Sequence, residues 1–483
     1  MIRNPVTRRL THAALAVAFW LTAFPAAGAT TETSQSGPAQ AHPGKADPRT
    51  ETVLIRNTTV IDGTGAAPQP GVDLLIRGDR IEAIGESLQA SEGARILDGT
   101  GKFVVPGLID THVHLQFPIV FQLSPEEKTV VVDHTPKAFL YNGVTTVLNV
   151  SAANEWILPR REAQRNGELV APTIYALGES FKPVDGWGSR HGGALEDAAA
   201  ARRMALELVD ADVDGFKLII EDGLGSQGTH VEMPDDMLQA IAEVASENGM
   251  PLYSHAINLH EYHRAVDIGS RAIIHGLEDP IPEGDTLIEE LIEGGITVVP
   301  TASLFESFLH PDPAAGLELQ DPVLEKTLPG FLLQRMRDPD YMAEEKRLFS
   351  QASNMDAYTW AESRLPVFRE NITRLHEAGV KLAVGTDGGG TVGYNYQGYN
   401  TPWELKILVE CGLTPMEALV AATRNGAEVI GIDNEVGTVE TGKLADLLIL
   451  TANPLDDIEN IRRIEWIIQQ GQPHPRDEFA FQP

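Results

Sequence analysis

The sequence contains the stretch VVPGLIDTHVHL at residues 104–115, in which an apolar run ends in two histidines separated by one residue. Side chains at positions i and i+2 of an extended strand point to the same face, so His112 and His114 are placed to hold one metal ion together. Taken alone, an H-x-H pair is a weak signal, because ordinary strand ends also carry histidines. The rest of the chain decides between these two interpretations.

The N-terminus has the order of features that is typical of a secretory signal peptide. These features are Arg3, Arg8 and Arg9, an apolar run over residues 13–24, and small residues before a cleavage point near Ala29. We therefore expect residues 1–29 to be removed and the mature protein to be exported to the periplasm or the extracellular space. The paired arginines leave a twin-arginine route open beside the general secretory route.

The charge and cysteine content exclude several classes of partner and linkage. The 483 residues include 37 Lys and Arg against 69 Asp and Glu, a net charge of −32, which repels nucleic acid and anionic lipid. Cys411 is the only cysteine, which excludes an intramolecular disulfide and argues against a lipoprotein anchor. We expect a small-molecule substrate, no nucleic-acid partner and no stable membrane insertion after signal cleavage, with homo-oligomerisation left open.

The two ends of the chain predict one small composite domain. Residues 30–51 are polar and aperiodic, as in a flexible linker. Residues 52–106 and 439–475 consist of short β-rich runs separated by Gly and Asp turns. We expect these two segments to form a single β-sandwich.

Between these segments, residues 107–438 alternate strand and helix patterns. Eight short apolar runs fit parallel strands, at residues 107–114, 144–150, 173–178, 215–220, 251–256, 272–276, 296–301 and 382–387. Helical stretches lie between them, one of them ended by Gly249. This alternation predicts a (β/α)8 TIM barrel. A long insert at residues 305–354 follows the seventh strand, and we interpret it as a lid, with a surface embellishment as the alternative.

Four more polar residues stand at or near the C-terminal ends of the predicted barrel strands: Lys217, His255, His275 and Asp387. These ends converge on the face of a TIM barrel where active sites are built, so six polar groups are expected to meet there. Imidazoles and a carboxylate favour Zn2+ or a similar ion over Ca2+ or Mg2+. Each histidine alone fits a structural role, and Lys217 alone fits a salt-bridged barrel lysine. Only the joint pattern indicates a metal centre.

The combination resembles the amidohydrolase superfamily of the binuclear metal type. The matching motifs are PGLIDTHVH, the strand-end lysine, two separate histidines, the GTD aspartate, and a C-terminal stretch running from AATRNGAEVIGI to GTVETGKLADLLILTANPLDDI. That last stretch resembles the imidazolonepropionase-related and Xaa-Pro dipeptidase (prolidase) branch. The resemblance covers the chain from Thr52 to about Gly471.

The resemblance implies two divalent metal ions, with zinc expected. It assigns the more buried ion to His112, His114 and Asp387, and the second ion to His255 and His275. Lys217 would carry a carbamate that bridges both ions. A metal-bridging hydroxide would attack a carbonyl carbon, and Asp387 would take the proton and return it to the leaving nitrogen. The implied reaction is hydrolysis of a C–N amide bond, in a dipeptide or an N-acyl amino acid.

Substrate contacts are expected from two loops. Arg190 and His191 follow the third barrel strand, and Tyr394 and Tyr399 lie in a tyrosine-rich loop after the eighth. Aromatic edges in that loop favour recognition of an apolar or aromatic group.

Two other functions remain open. A cyclic amidase, deaminase or lactonase would use the same scaffold, although relatives that deaminate or open cyclic imides typically bind one metal and lack the lysine ligand. A non-catalytic binding protein with a decayed barrel site is the other alternative, which the presence of all six site residues disfavours.

Overall fold

The computed structural model describes residues 51–116, 121–189, 193–223, 230–309, 321–353, 357–389 and 395–482. Residues 1–50 lie outside this part of the chain, so the signal peptide and nearly all of the linker stay predictions. None of the helices in the described ranges combines the length and apolar character that crossing a membrane requires.

The strands, in chain order, are β1 (Thr52–Val60), β2 (Gln69–Arg77), β3 (Arg80–Gly85), β4 (Arg95–Asp98), β5 (Phe103–Pro106), β6 (Leu108–Val113), β7 (Val144–Asn149), β8 (Thr173–Ala176), β9 (Lys182–Pro183), β10 (Ala194–Leu195), β11 (Phe216–Ile219), β12 (Leu252–His255), β13 (Ala272–Ile274), β14 (Thr297–Val299), β15 (Leu447–Leu450), β16 (Ile464–Gln469) and β17 (Gln472–Pro475). The helices are α1 (Pro125–Tyr141), α2 (Asn154–Arg165), α3 (Ala198–Asp210), α4 (Asp235–Asn248), α5 (Leu259–Asp267), α6 (Leu287–Glu293), α7 (Ala302–Ser307), α8 (Pro322–Thr327), α9 (Gly330–Met336), α10 (Pro339–Ser353), α11 (Ala357–Glu377), α12 (Asn400–Glu410), α13 (Pro415–Ala421) and α14 (Arg424–Ile430). Short 3-10 helices lie at Ile458–Arg462 and Arg476–Phe479.

The barrel strands pair in parallel. β6, β7 and β8 form one parallel sheet, and β11, β12, β13 and β14 form another. Isolated parallel bridges connect residues 382–388 to both sheets, at Leu382 with Val298 and Gly388 with Val113, and a third connects Phe181, in the segment after β8, to Leu218 of β11. Residues 382–388 therefore occupy the eighth strand position, and the predicted (β/α)8 TIM barrel is confirmed.

The barrel strands are apolar on both faces because helices cover the outside of the ring while packed side chains fill the inside. Every residue of β6, β7, β11 and β12 is buried. One helix end was predicted, and it is confirmed: Gly249 terminates α4 in the left-handed conformation with φ of 67°.

A second, eight-stranded sheet contains strands from both ends of the chain. Its order is β17-β16-β15-β5-β1-β2-β3, with β4 paired to β1, and it has its own apolar core. Residues 52–106 and 439–475 thus contribute strands to one sheet, while their division from the barrel as a β-sandwich domain stays a prediction. The chain passes from this sheet into the barrel at Gly107, where a Cβ atom would lie only 2.1 Å from Thr145 Oγ1.

The described part of the predicted insert, residues 305–309 and 321–353, is largely helical and contributes to a separate core. Residues of α8, α9 and α10 pack with Leu123, Val131, Tyr396 and Tyr399 in an apolar cluster distinct from that of the barrel. Glu345 of α10 accepts hydrogen bonds from the backbone N–H groups of Phe121 and Gln122, at 2.7 and 2.9 Å. The insert is thus docked on the segment that follows β6, and its movement as a lid stays a prediction.

Candidate metal centre

Three predicted ligands meet at the barrel mouth with the spacing that a metal ion requires. His112 Nε2 lies 3.3 Å from His114 Nε2 and 3.4 Å from Asp387 Oδ1, and His114 Nε2 lies 2.9 Å from the same carboxylate oxygen. Ligand atoms bound about 2.1 Å from a tetrahedral ion are about 3.4 Å apart. These residues therefore form a possible metal site.

Backbone pairing between the first and last barrel strands positions this site. The Asp387 N–H donates to His112 O at 2.8 Å, and the His114 N–H donates to Gly388 O at 2.8 Å. Asp110, wholly buried, accepts from the backbone N–H of His112 at 3.2 Å and that of Thr386 at 3.1 Å. The side chain of Asp110 thus connects the two segments that carry predicted ligands, β6 and residues 382–388.

His255 and His275 form a second, adjoining pair. His255 Nδ1 and His275 Nε2 lie 3.0 Å apart, and the rings of His112 and His275 have centroids 5.0 Å apart. The outward nitrogens of the pair have partners, since His255 Nε2 lies 2.6 Å from Glu221 Oε2 and His275 Nδ1 lies 2.7 Å from Thr301 Oγ1. Such partners fix the tautomer and orientation of a histidine, which leaves the two inward nitrogens free to bind a cation.

Lys217 extends from β11 into the same region. Its side chain is 1% exposed, and Nζ has no hydrogen-bond partner within the described part of the chain. Burial lowers the pKa of Lys217 to about 7, although Asp387 and Glu221 act in the opposite direction. A buried amine without a partner, next to imidazole and carboxylate donors, fits the chemistry of a carbamate-bridged cation site.

Three of the site histidines, His112, His255 and His275, are held in the neutral form. Burial, together with the charge of Lys217 and of neighbouring histidines, holds the pKa values of His112, His255 and His275 well below the ordinary value. Because a metal ion binds only the deprotonated imidazole, this environment favours cation binding at neutral pH.

Residues 103–469, most of the chain, match the amidohydrolase family. The chain belongs to the amidohydrolase family. It is therefore a hydrolase of carbon–nitrogen bonds, as the sequence predicted. An imidazolonepropionase of Symbiobacterium thermophilum is 26% identical to this amidohydrolase over 420 residues, which cover 80% of this chain and 85% of that relative.

Solved structures resemble the amidohydrolase over nearly the whole described chain. A Xaa-Pro dipeptidase with methionine bound in its active site has a TM-score of 0.71 at 22% identity, covering 88% of this chain and 100% of that one. The ochratoxinase of A. niger has a TM-score of 0.67 at 20% identity, covering 88% and 96%. These similarities confirm the fold, while the family match and the imidazolonepropionase confirm the predicted superfamily and branch.

The amidohydrolase holds three site residues in a backbone conformation that side chains other than glycine rarely adopt. His275, Thr301 and Asp387 have φ of 76°, 53° and 56°. Left-handed backbone at non-glycine residues clusters at functional sites, where the surrounding structure enforces it. The ends of the barrel strands thus impose the backbone conformation of two predicted ligands, His275 and Asp387.

Glu221 is a site residue that the sequence analysis missed. It is 1% exposed, and burial together with Asp222 raises its pKa to about 8. Its position four residues after Lys217, directly beyond an apolar run, was the available signal. The spacing gave no indication that its carboxyl group would reach His255 on the neighbouring strand.

The predicted substrate contacts are only partly covered by the described residues. Arg190, His191 and Tyr394 lie outside them. Tyr399 is buried; its hydroxyl donates to Asp321 Oδ2 at 3.0 Å, and the Arg462 guanidinium lies 4.5 Å from its ring centroid. A role for these residues in substrate binding stays a prediction.

We expect Glu221→Ala to lower the affinity of the amidohydrolase for divalent metal by about 10- to 100-fold, the usual effect of removing a carboxylate that orients a metal-binding histidine. Glu221→Gln keeps an acceptor oxygen for His255 and should lose less. The measurement is competition for Zn2+ against a calibrated chelator. Glu247→Ala, which removes a charge from the exposed face of α4, is the control. Unchanged affinity in Glu221→Ala would exclude this orienting role.

Proposed function

We propose that this amidohydrolase cleaves the C–N amide bond of a dipeptide or an N-acyl amino acid at a centre of two divalent metal ions. The observation that carries the proposal is the joint placement of three groups: the His112, His114 and Asp387 cluster, the adjoining His255 and His275 pair, and the partnerless Lys217 amine. No purely structural role accounts for all three groups in one place.

We further propose that the ions are zinc and that Lys217 is carboxylated. The nitrogen lone pair attacks the carbon of carbon dioxide, an N–C bond forms as one C=O π bond opens onto oxygen, and the nitrogen passes one proton to water, which leaves an anionic carbamate. The neutral amine is the reactive form, and a pKa of about 7 makes it abundant at neutral pH. The carbamate supplies the anionic oxygen donors that complete the set of imidazoles and carboxylate.

Divalent cations at such a centre would lower the pKa of water and polarise the substrate carbonyl. The chain's own proton carrier is Asp387. Burial acts to raise its pKa, but the charge and hydrogen bond of His114, together with His275 and the unmodified Lys217, outweigh burial and hold the pKa below its ordinary value, so the carboxylate is ionised and able to accept a proton. It accepts the proton of the attacking water and returns it to the departing nitrogen, which leaves as a neutral amine.

Ring opening of a cyclic amide is the second candidate function. It is supported by the similarity to an imidazolonepropionase over 80% of the chain. The buried, partnerless Lys217 favours the binuclear type over deaminases that bind one metal. A lactonase would use the same attack on an ester carbonyl, and the assembled ligand set disfavours a non-catalytic binding protein.

A substrate screen separates these functions. Protein prepared with Zn2+ and bicarbonate is incubated with dipeptides, N-acyl amino acids, aryl amides, lactones, cyclic imides and amino-heterocycles, and the products are identified by mass spectrometry. We expect acid and amine products from linear amides. Turnover of only lactones, cyclic imides or amino-heterocycles would contradict the proposed scissile bond and leave the metal centre in place.

Carboxylation of Lys217 is testable without a substrate. Protein loaded with Zn2+ and 13C-bicarbonate should give a carbamate carbon signal by NMR, distinct from that of free bicarbonate. Lys217→Ala should lose this signal, most of the bound metal and most of the activity, because the bridging anion is gone. Lys182→Met, which removes another buried lysine, should keep the signal. Wild-type metal content and activity in Lys217→Ala would refute the bridged centre.

Export is a proposal that rests on the N-terminal sequence. The arginines, the apolar run and the small residues before Ala29 support cleavage after that position. The full-length chain expressed in a Gram-negative host should appear in the periplasmic fraction with a new N-terminus near residue 30, read by N-terminal sequencing. Replacing Arg8 and Arg9 by lysine should abolish export only if the twin-arginine route is used. Full-length protein confined to the cytoplasm would contradict export.

A further inference from the structure

Lys182 of β9 is a buried ammonium group without a carboxylate partner. Its side chain is 4% exposed, and Nζ donates to Ser180 Oγ at 3.0 Å and to Ser180 O at 3.4 Å. An ammonium has three N–H donors, so one donor has no acceptor among the described residues. Burial lowers the pKa of Lys182 to about 8, and Glu179 offsets this only in part.

Strand geometry places Lys182 on the same side of the barrel wall as the metal ligands. Phe181 pairs in parallel with Leu218, so these two side chains share a face. Side chains alternate along a strand, and therefore Lys182 lies on the opposite face, which it shares with Lys217. By this register Lys182 stands beside Ile219, one inward-facing position closer to the C-terminal mouth than Lys217.

A chain of polar contacts also joins Lys182 to the metal centre. Ser180 Oγ lies 3.0 Å from Ser151 Oγ, and the backbone oxygen of Ser151 lies 3.4 Å from His114 Nδ1. The backbone of Gly193 also lies close, since a Cβ atom there would stand 3.4 Å from Lys182 Nζ and 2.7 Å from Ser180 O. The ammonium is thus held in a fixed place at the rim of the site.

The fold does not explain this charge. Several less buried lysines pair with acids, as Lys102 does with Glu465 at 2.8 Å and Lys443 with Glu440 at 3.0 Å. A buried charge without a counter-ion destabilises the folded state unless a ligand supplies the partner. In a chain of net charge −32, a buried cation without an acid in contact among the described residues is unusual.

We propose that Lys182 binds the free carboxylate of the substrate and so restricts the enzyme to amides whose hydrolysis releases an amino acid. This inference rests on the proposed amide hydrolysis and names its substrate class. The carboxylate supplies the missing acceptor and the missing counter-charge together. A compact ammonium recognises the carboxylate as a point charge and imposes no demand on the side chain of the released amino acid.

The experiment compares two amides that differ only in this group, N-acetyl-L-phenylalanine and N-(2-phenylethyl)acetamide. Binding to the zinc-loaded enzyme is measured by calorimetry, and turnover is measured where it occurs. We expect wild type to prefer the acid at least tenfold. Lys182→Met should abolish the preference by raising Kd and KM for the acid alone, with kcat changed far less. Lys182→Arg should keep part of the preference.

The melting temperature separates recognition from support of the fold. Lys182→Met removes an uncompensated buried charge, so its melting temperature should equal or exceed that of wild type, whereas a structural lysine would lower it. Lys182→Gln, which keeps a donor toward Ser180, replaces the methionine variant if that variant fails to fold. Equal loss for both amides, or an acid preference retained in the neutral variants, would overturn the inference.

The binding arm distinguishes this inference from the proposed function. If neither compound nor any other linear amide is hydrolysed, the proposed function fails, yet a Lys182-dependent preference in binding still supports the anion site. If amides are hydrolysed and wild type binds both compounds equally, the proposed function stands and the carboxylate site is refuted.

Discussion

The hydrogen bonds between β6 and residues 382–388 close the barrel and build the metal site at the same time. Thr111 donates to Val384 O at 3.0 Å, Asp387 to His112 O at 2.8 Å, and His114 to Gly388 O at 2.8 Å. These bonds bring ligands from the first and last strands within 3.4 Å of one another. Fold and site are therefore one cooperative structure. Loss of the hydrogen bonds between β6 and residues 382–388 would separate the predicted ligands before it disturbed the outer helices.

Much of this could be predicted from the sequence because strand order alone fixes where the carboxyl ends of barrel strands meet. An unusual polar residue at such an end is then a candidate whatever its distance along the chain, as Lys217 and Asp387 illustrate. Contacts between neighbouring strands could not be predicted this way. The pairs formed by Glu221 with His255 and Thr301 with His275 depend on loop conformation and side-chain reach, which spacing does not encode.

Charge is distributed unevenly between the surface and the site. The chain as a whole is acidic, yet the buried Lys182 ammonium lies at the barrel mouth without an acid in contact among the described residues. The long-range field of such a protein repels anionic molecules, while the short-range field inside the mouth attracts them. Recognition of an anionic group would then come from close contact after entry rather than from faster diffusional encounter, and it would be relatively insensitive to salt.

The left-handed backbone of His275, Thr301 and Asp387 links the stability of the folded state to the activity of the site. Each such residue costs the folded state about 1 kcal/mol or more, a cost that glycine would avoid. Selection for heat resistance alone would therefore erode the set of candidate ligands. Ligands that bind only the native state offset such costs by mass action. With the proposed metal centre, the thermal tolerance of this amidohydrolase should consequently follow the supply of the ion, so that scarcity of the ion would shorten the lifetime of the protein and lower its activity together.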